Sequence, residues 1–453
     1  MKARVQAKKN SMLLIYTIVY ILSICLYYMK LNGIASGLMI TLAIFLYLVE
    51  YRKRHRIINV NGLFAVGFIG GFGLSLLKLS KLSTDYSIVT IITVYTAFFS
   101  LYLGTFFCRK QSETVSKIDK SSYQVSNKTQ ERLLVVIAVI SFISFVVEAL
   151  ILGFIPIFTI ATPHAYSTFH VYMLHYITSL YVFILPISVA NYFLSKDKKR
   201  SKIVIAMSFI YVVIMAIMMI SRAQLIMSIV LSIFVILIYR AFDLKKIRKE
   251  YVFAFLVLLI LLLLIYVFIT INRAHSIDYL NGIFEMKNGN IPIIISQPYM
   301  YVAHNFENLN YMINTIFRFG FGRRILTPFF TLTFVKKMFP IVADAPIFII
   351  KEELSTKTLI YDFYYDFGIL GVVVMCAIIG YIGKFLEDTT YYMVKNNCFK
   401  KNNYIVVLFS LFSYYMLFSF FQTYFSLTDT WVHLITIILI SLFVPVITRD
   451  GKT

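Results

Sequence analysis

Apolar runs of about 20 residues, the length a helix needs to cross the hydrocarbon of a bilayer, follow one another along nearly the whole chain with short polar joints between them. Twelve spans are predicted, at about 11–29, 33–50, 59–78, 87–107, 132–153, 173–194, 202–220, 223–240, 251–270, 364–385, 403–424 and 430–448. The pattern predicts an all-α, polytopic integral membrane protein. One stretch breaks it, a polar and aromatic segment of 93 residues from Ile271 to Phe363. The chain therefore divides into a nine-helix membrane bundle (1–270), a long loop (271–363) and a three-helix membrane segment (364–453). Within the loop, Leu309, Met312, Ile313, Ile316 and Phe317 fall at helical spacing, and 325–338 is apolar with interspersed Thr and Lys. Both pieces predict helices lying along a membrane surface. Five of the nine prolines (Pro292, Pro298, Pro328, Pro340 and Pro346) predict breaks between short elements.

Composition excludes a soluble domain, since 60% of residues are hydrophobic and 14% charged. Charge then orients the spans. Basic residues in short loops stay in the cytoplasm, and with the N-terminus inside, 30 of the 43 Lys and Arg residues fall on the cytoplasmic side. The others are Lys30, Lys78, Lys81 and Arg222 in short outer turns and nine in the long loop, which is long enough to escape the rule. Both termini are expected in the cytoplasm and the long loop outside it. The net charge of +22 is thus topogenic, and no nucleic-acid partner is implied. Lys2 to Lys9 followed by an apolar run resembles the start of a signal peptide, but no small-residue cleavage site follows, so the segment is read as the first helix. Cys25, Cys108, Cys376 and Cys398 fall in spans or on the cytoplasmic side, which leaves the loop without a disulfide. No repeat relates the two halves, which argues against a transporter built from two similar bundles.

Arginines outside the cytoplasmic face carry the strongest chemical signal. Arg222, in SRAQL, interrupts an apolar stretch from Ile203 to Ile238, so a hairpin must turn there and hold the cation at the outer surface. It either snorkels to lipid phosphates, pairs with Glu148 near the outer end of the fifth span, or clamps a phosphate ligand. Arg273, Arg318, Arg323 and Arg324 add four planar guanidinium forks suited to phosphate oxygens. Each alone could equally anchor on anionic lipid. Glu148, Arg318, Arg323 and Arg324 are taken as candidate substrate-binding residues. Asp362 and Asp366 in YDFYYDFG share one helix face; Asp362 reads as a helix-start carboxylate and Asp366 as a candidate base. Six of the seven histidines lie on the outer side, but His164, His170 and His175 lack the four-residue step of a helical zinc motif, so no metal site is expected. His275, two residues after Arg273, is kept as a possible proton acceptor.

Absences narrow the chemistry. There is no Gly-rich phosphate loop for ATP and no Asp-x-Asp pair of the kind metal-dependent nucleotide-sugar transferases use, so no cofactor is expected and the donor must carry its own activation. The loop also holds 16 Phe and Tyr residues, whose faces can pack on sugar rings, although interfacial packing is their commoner use.

At SRAQL (221–225), GFIPIF (153–158), Arg273 after an apolar span, NFENL (305–309) and YYDFGILG (364–371), the chain resembles the bacterial oligosaccharide repeat-unit polymerases of the Wzy type, which build O-antigen and capsular polysaccharide. The resemblance covers most of the chain in architecture, through short motifs. It implies a glycosyltransferase in the bacterial cytoplasmic membrane with an extracytoplasmic active site, and the arginines, with no metal motif beside them, make the expected mechanism metal-independent. Such an enzyme moves a growing glycan from undecaprenyl pyrophosphate to the non-reducing end of another lipid-linked unit, in company with flippase and chain-length regulator proteins. It also implies functional roles for Arg222, Arg273 and Asp366, and a folding class shared with the O-antigen ligases. A ligase would use the same donor site with a different acceptor. A flippase of lipid-linked oligosaccharide is the alternative outside enzymes, and the nearly uncharged span interiors speak against it.

Overall fold

The computed structural model describes residues 2–108, 127–159, 168–241, 277–338, 345–396 and 404–443. Among them every regular element is helical, and one isolated bridge joins Ser80 to Met286. In chain order the helices are α1 (Lys2–Tyr28), α2 (Asn32–Arg54), α3 (Val60–Ser75), α4 (Ile88–Phe107), α5 (Asn127–Leu152), α6 (Leu174–Leu194), α7 (Lys198–Met218) and α8 (Arg222–Arg240). They continue as α9 (Ile277–Phe284), α10 (Ile293–Thr315), α11 (Thr327–Leu332), α12 (Val335–Met338), α13 (Tyr361–Asn396), α14 (Tyr404–Leu417) and α15 (Thr428–Phe443).

Seven of these, α2, α4, α5, α6, α7, α8 and α13, are long and apolar enough to cross a membrane. Shorter apolar helices occupy Met12–Tyr28, Val60–Ser75, Tyr404–Leu417 and Thr428–Leu442. The expected ninth span, 251–270, lies outside the described residues.

The long loop departs from expectation. The helix expected over Leu309 to Phe317 begins at Ile293 and ends at Thr315, so Leu309, Met312 and Ile313 are buried as their spacing predicts, while Ile316 and Phe317 lie beyond its end. Phe317 is 97% exposed. Pro298, read from sequence as a break, stands inside α10, in the second turn, where its missing N–H forfeits one backbone bond without ending the helix. The apolar piece 325–338 forms α11 and α12, separated by Phe334 at φ 59°.

The three consecutive stretches describe order along the chain, and packing groups it in another way. Two compact units emerge, the first made of Met1–Thr114, Ile277–Glu387 and Tyr415–Trp431, the second of Val115–Ser276, Asp388–Tyr414 and Val432–Thr453.

In the first unit α1 packs on α2, α2 on α3, and α10 on α3. Phe68 and Phe72 each set a ring 5.5 Å from that of Phe306, so the helix of the NFENL motif is fixed by aromatic contacts as well as by polar ones. Buried Glu387 is matched by Arg56 at 2.8 Å, Lys384 at 2.6 Å and the Val60 amide at 3.2 Å, which compensates the cost of taking a carboxylate out of water.

In the second unit α6 is the centre, with α5, α7 and α8 packed around it. Asp197 caps α7 by accepting from the Arg200 amide at 3.0 Å. Cross-links between Glu131 and Arg200 and between Ser141 and Tyr211 (2.9 Å) hold α5 and α7 side by side and parallel. Both helices expose rows of large apolar side chains, among them Val135, Val139 and Phe142 on α5 and Ile203, Met207 and Ile210 on α7. Such faces fit hydrocarbon surroundings, where backbone groups must be satisfied within the helix and apolar side chains need no cover.

Candidate functional site

Chemistry-bearing residues collect in two places, one in each unit. In the second unit the parallel register of α5 and α7 sets the geometry. Glu148 stands seven residues past Ser141, and seven past Tyr211 brings α7 to Met218, its last residue. After a turn in which Ile220 has φ 50°, Arg222 opens α8. Glu148 and Arg222 therefore belong to the same end of the unit. Tyr181 donates to Gln224 Oε1 at 2.8 Å, which ties the first turn of α8 to the first part of α6. Arg222 is half-buried, at a helix start where both its own charge and the helix dipole favour an anion.

Glu148, a candidate substrate-binding residue, stands at the centre of a hydrogen-bond cluster. Its side chain is fully buried, and its carboxylate accepts from the Val171 amide at 2.8 Å and from Thr178 Oγ1 at 3.2 Å, and meets His175 Nδ1 at 3.1 Å. The imidazole thus turns Nδ1 to Glu148 and its other nitrogen, Nε2, away from it. The His175 side chain is 19% exposed and that of Glu148 is fully buried, so the imidazole is the more accessible of the two. Spacing alone argued against linking His170 and His175, yet a tight turn with Met173 at φ 67° brings their rings to 4.8 Å. Beside Glu148 on α5, Phe145, Val146, Ala149 and Leu150 join Phe154 and Phe158 in lining an apolar groove of about 550 Å³.

In the first unit a broken helix organises the site. α13 departs from helical geometry at Phe367 and at Gly368, whose φ of 61° suits glycine. The carbonyls freed by this break are taken by the turn before α11: the Gly320 amide donates to the Tyr365 carbonyl at 2.9 Å and the Phe321 amide to that of Asp366 at 3.0 Å. The Asp366 carboxylate accepts from the amides of Arg324 (3.1 Å) and Ile325 (2.8 Å). A Cβ at Gly320 would run into the Tyr365 ring and the Asp366 carboxylate, so this close approach requires glycine.

The tandem arginines are thereby separated in role. Arg324 is buried, pairs with Asp362 at 2.9 Å, donates to the Pro346 carbonyl and lies 4.4 Å from the centre of the Tyr365 ring. Arg318 and Arg323 are exposed, beside the exposed rings of Phe317 and Phe321. Arg324, a candidate substrate-binding residue, and Asp366, a candidate base, are bound to each other's segments, and Asp362, read as a helix-start carboxylate, holds Arg324 there.

The NFENL motif lies within α10 with its polar residues inward. Glu307 pairs with Lys78 at 2.5 Å and accepts from Tyr86 Oη and the Thr84 amide, both at 3.1 Å. Asn308 donates to the carbonyls of Leu354 (2.8 Å) and Thr356 (2.9 Å) and accepts from the Ile350 amide (3.1 Å). One turn earlier, His304 is buried with neither ring nitrogen hydrogen-bonded among the described residues. Burial and nearby Lys351 hold it down at about 4, so it stays neutral with its lone pair free. An orphaned buried polar group costs about 1–3 kcal/mol, which marks the position as one a ligand or water would complete.

His175 and His304 were both passed over in the sequence. The available signal for His304 was its place one residue before NFENL, on the face that also carries Asn308. Arg273 and His275 lie outside the described residues. Among the described residues no three His, Cys, Asp or Glu side chains are grouped to hold a metal ion. No family model matches the chain, and neither a curated protein nor a solved structure shows significant similarity to it.

Proposed function

We propose that this protein polymerises lipid-linked oligosaccharide repeat units at the outer face of a bacterial cytoplasmic membrane, with twelve spans and both termini in the cytoplasm. The growing glycan would leave undecaprenyl pyrophosphate and join the non-reducing end of a second lipid-linked unit. The observation that carries this reading is the end of the second unit, where an arginine at a helix start and a groove lined by hydrocarbon lie in one register. An amphiphile with an anionic head and an apolar chain suits both features. That the reacting group is a sugar rests on the resemblance alone, through motifs that include SRAQL and YYDFGILG.

In the reaction the acceptor hydroxyl oxygen bonds to the anomeric carbon of the donor while the carbon–oxygen bond to the diphosphate breaks. The diphosphate leaves with the electron pair, and Arg222 stabilises the charge that develops on it. The hydroxyl proton passes to a general base, the role for which His275 is the candidate from the sequence.

A deletion strain tests the reading in the cell. Single repeat units should accumulate on the outer leaflet and, where a ligase is present, appear singly on the final acceptor. Accumulation on the cytoplasmic leaflet with nothing attached outside would make the protein a flippase instead.

A further inference from the structure

A diphosphate carries more negative charge than one guanidinium can balance, so a donor site built on Arg222 calls for a second cation or donor. We propose that His175, held through Nδ1 by buried Glu148, is the second ligand of the diphosphate of a polyprenyl lipid, and that the groove between Phe145 and Phe158 takes the start of its hydrocarbon chain. The identity of the lipid rests on the polymerase reading, whereas the geometry rests on the second unit alone.

Position comes first. His175 is six residues before Tyr181 on the same helical segment, about 9 Å along its axis, and Tyr181 is bonded to Gln224, two residues past Arg222. An extended arginine side chain, which leans toward the start of its helix, and a two-phosphate headgroup together span that interval. The groove shares the same turn of α5 as Glu148, since Phe145, Val146 and Ala149 flank that residue in sequence and line the groove wall.

Chemistry separates this role from a purely structural one. Two donors, the Val171 amide and Thr178 Oγ1, already reach the Glu148 carboxylate. A third structural donor would have no need of a second nitrogen, yet the imidazole is partly exposed and leaves Nε2 unused by Glu148. When Nε2 takes up a proton it donates to a phosphate oxygen, and Glu148 supplies the counter-charge to the imidazolium, as a carboxylate does behind a histidine in a catalytic or metal-binding pair. A phospholipid presents one phosphate and would engage one cation; a prenyl diphosphate engages both. The groove volume of about 550 Å³ lies within the range of small-molecule sites.

The test uses the full-length protein in phosphatidylcholine nanodiscs, with farnesyl diphosphate as the amphiphilic probe and inorganic pyrophosphate as the headgroup alone, measured calorimetrically. His175→Asn keeps a donor for Glu148 and deletes the outward nitrogen; it should weaken farnesyl diphosphate binding about tenfold, the size of one charge-assisted hydrogen bond. Glu148→Gln should weaken it similarly. Leu150→Ser combined with Phe158→Ser should weaken farnesyl diphosphate and spare pyrophosphate. Unchanged affinity in His175→Asn, equal loss of both probes in the groove variant, or equally strong competition by phosphatidylglycerol would each overturn the proposal. Binding lost in His175→Asn while the wild-type protein makes no polymer would keep the site and remove the polymerase. Polymer from the wild type with binding intact in His175→Asn would do the reverse.

Discussion

The two units place buried carboxylates in opposite kinds of company. In the first unit, Asp366 accepts two backbone amides, Asp362 pairs with Arg324, and Glu307 pairs with Lys78; each partner belongs to a segment that must be held in place. In the second, Glu148 meets an imidazole whose other nitrogen is free of it. A carboxylate bonded to groups with nothing further to offer fixes a fold. One bonded to a two-faced group can transmit its charge to a ligand. The comparison teaches that burial and pairing by themselves do not mark a site; a partner with a second polar face does.

The largest effect expected from this contrast is at Arg222. Arg222→Ala should abolish polymer formation, by a hundredfold or more, in protein that inserts and melts normally, and Arg222→Lys should keep partial activity because it retains charge but loses the fork. Wild-type polymer from well-expressed Arg222→Ala would reduce this residue to a lipid anchor. Arg324 should behave in the other way. Arg324→Met removes one partner of a buried pair and strands Asp362, at a cost of about 3–5 kcal/mol. The thermal midpoint should fall markedly, and the protein that remains folded should still polymerise; full stability of Arg324→Met would break the contrast between the units.

His304 gives a smaller effect with a definite sign. Its imidazole is held down at about 4 in the folded chain against an ordinary 6.5, so below about pH 6.5 the unfolded chain binds the proton and the folded chain does not. Stability should therefore fall as pH drops from 7 toward 4, by up to about 3 kcal/mol at this group. His304→Leu should flatten that part of the melting-temperature profile, and an unchanged profile would show that the ring finds a partner when folded. The smallest effects belong to Arg318 and Arg323. Each exposed guanidinium changed to Ala should alter activity less than about threefold, with both together weakening attachment to anionic lipid in a salt-dependent way.

The helical fold was largely legible in the sequence because membrane spans announce themselves by length and composition, as α5 and α7 do. The break in α13 was less so. Gly368 is a single residue in an apolar run, and nothing local says that Gly320 will come up against the carbonyls it frees. Arg324 and Arg323 are identical side chains side by side, and only the placement of Asp362 and Tyr365 buries one of them. Glu148 was visible as an oddity in an apolar span, but His175 was dismissed on spacing, since the zinc-helix rule assumes a regular helix and the chain turns sharply at Met173. α10 was underestimated because Pro298 reads as a terminator although it stands early in the helix, where one lost bond is tolerated.

The polymerase assignment itself is tested most directly on purified protein given only undecaprenyl-pyrophosphate-linked repeat units, with EDTA present and neither nucleotide sugar nor ATP. The donor bond supplies the driving force, so a ladder of longer lipid-linked glycans should form, and Arg222→Ala should form none. A complete absence of ladder from active-folded wild-type protein would contradict the assignment, and a ladder that disappears with EDTA and returns with a divalent cation would contradict the metal-independent mechanism.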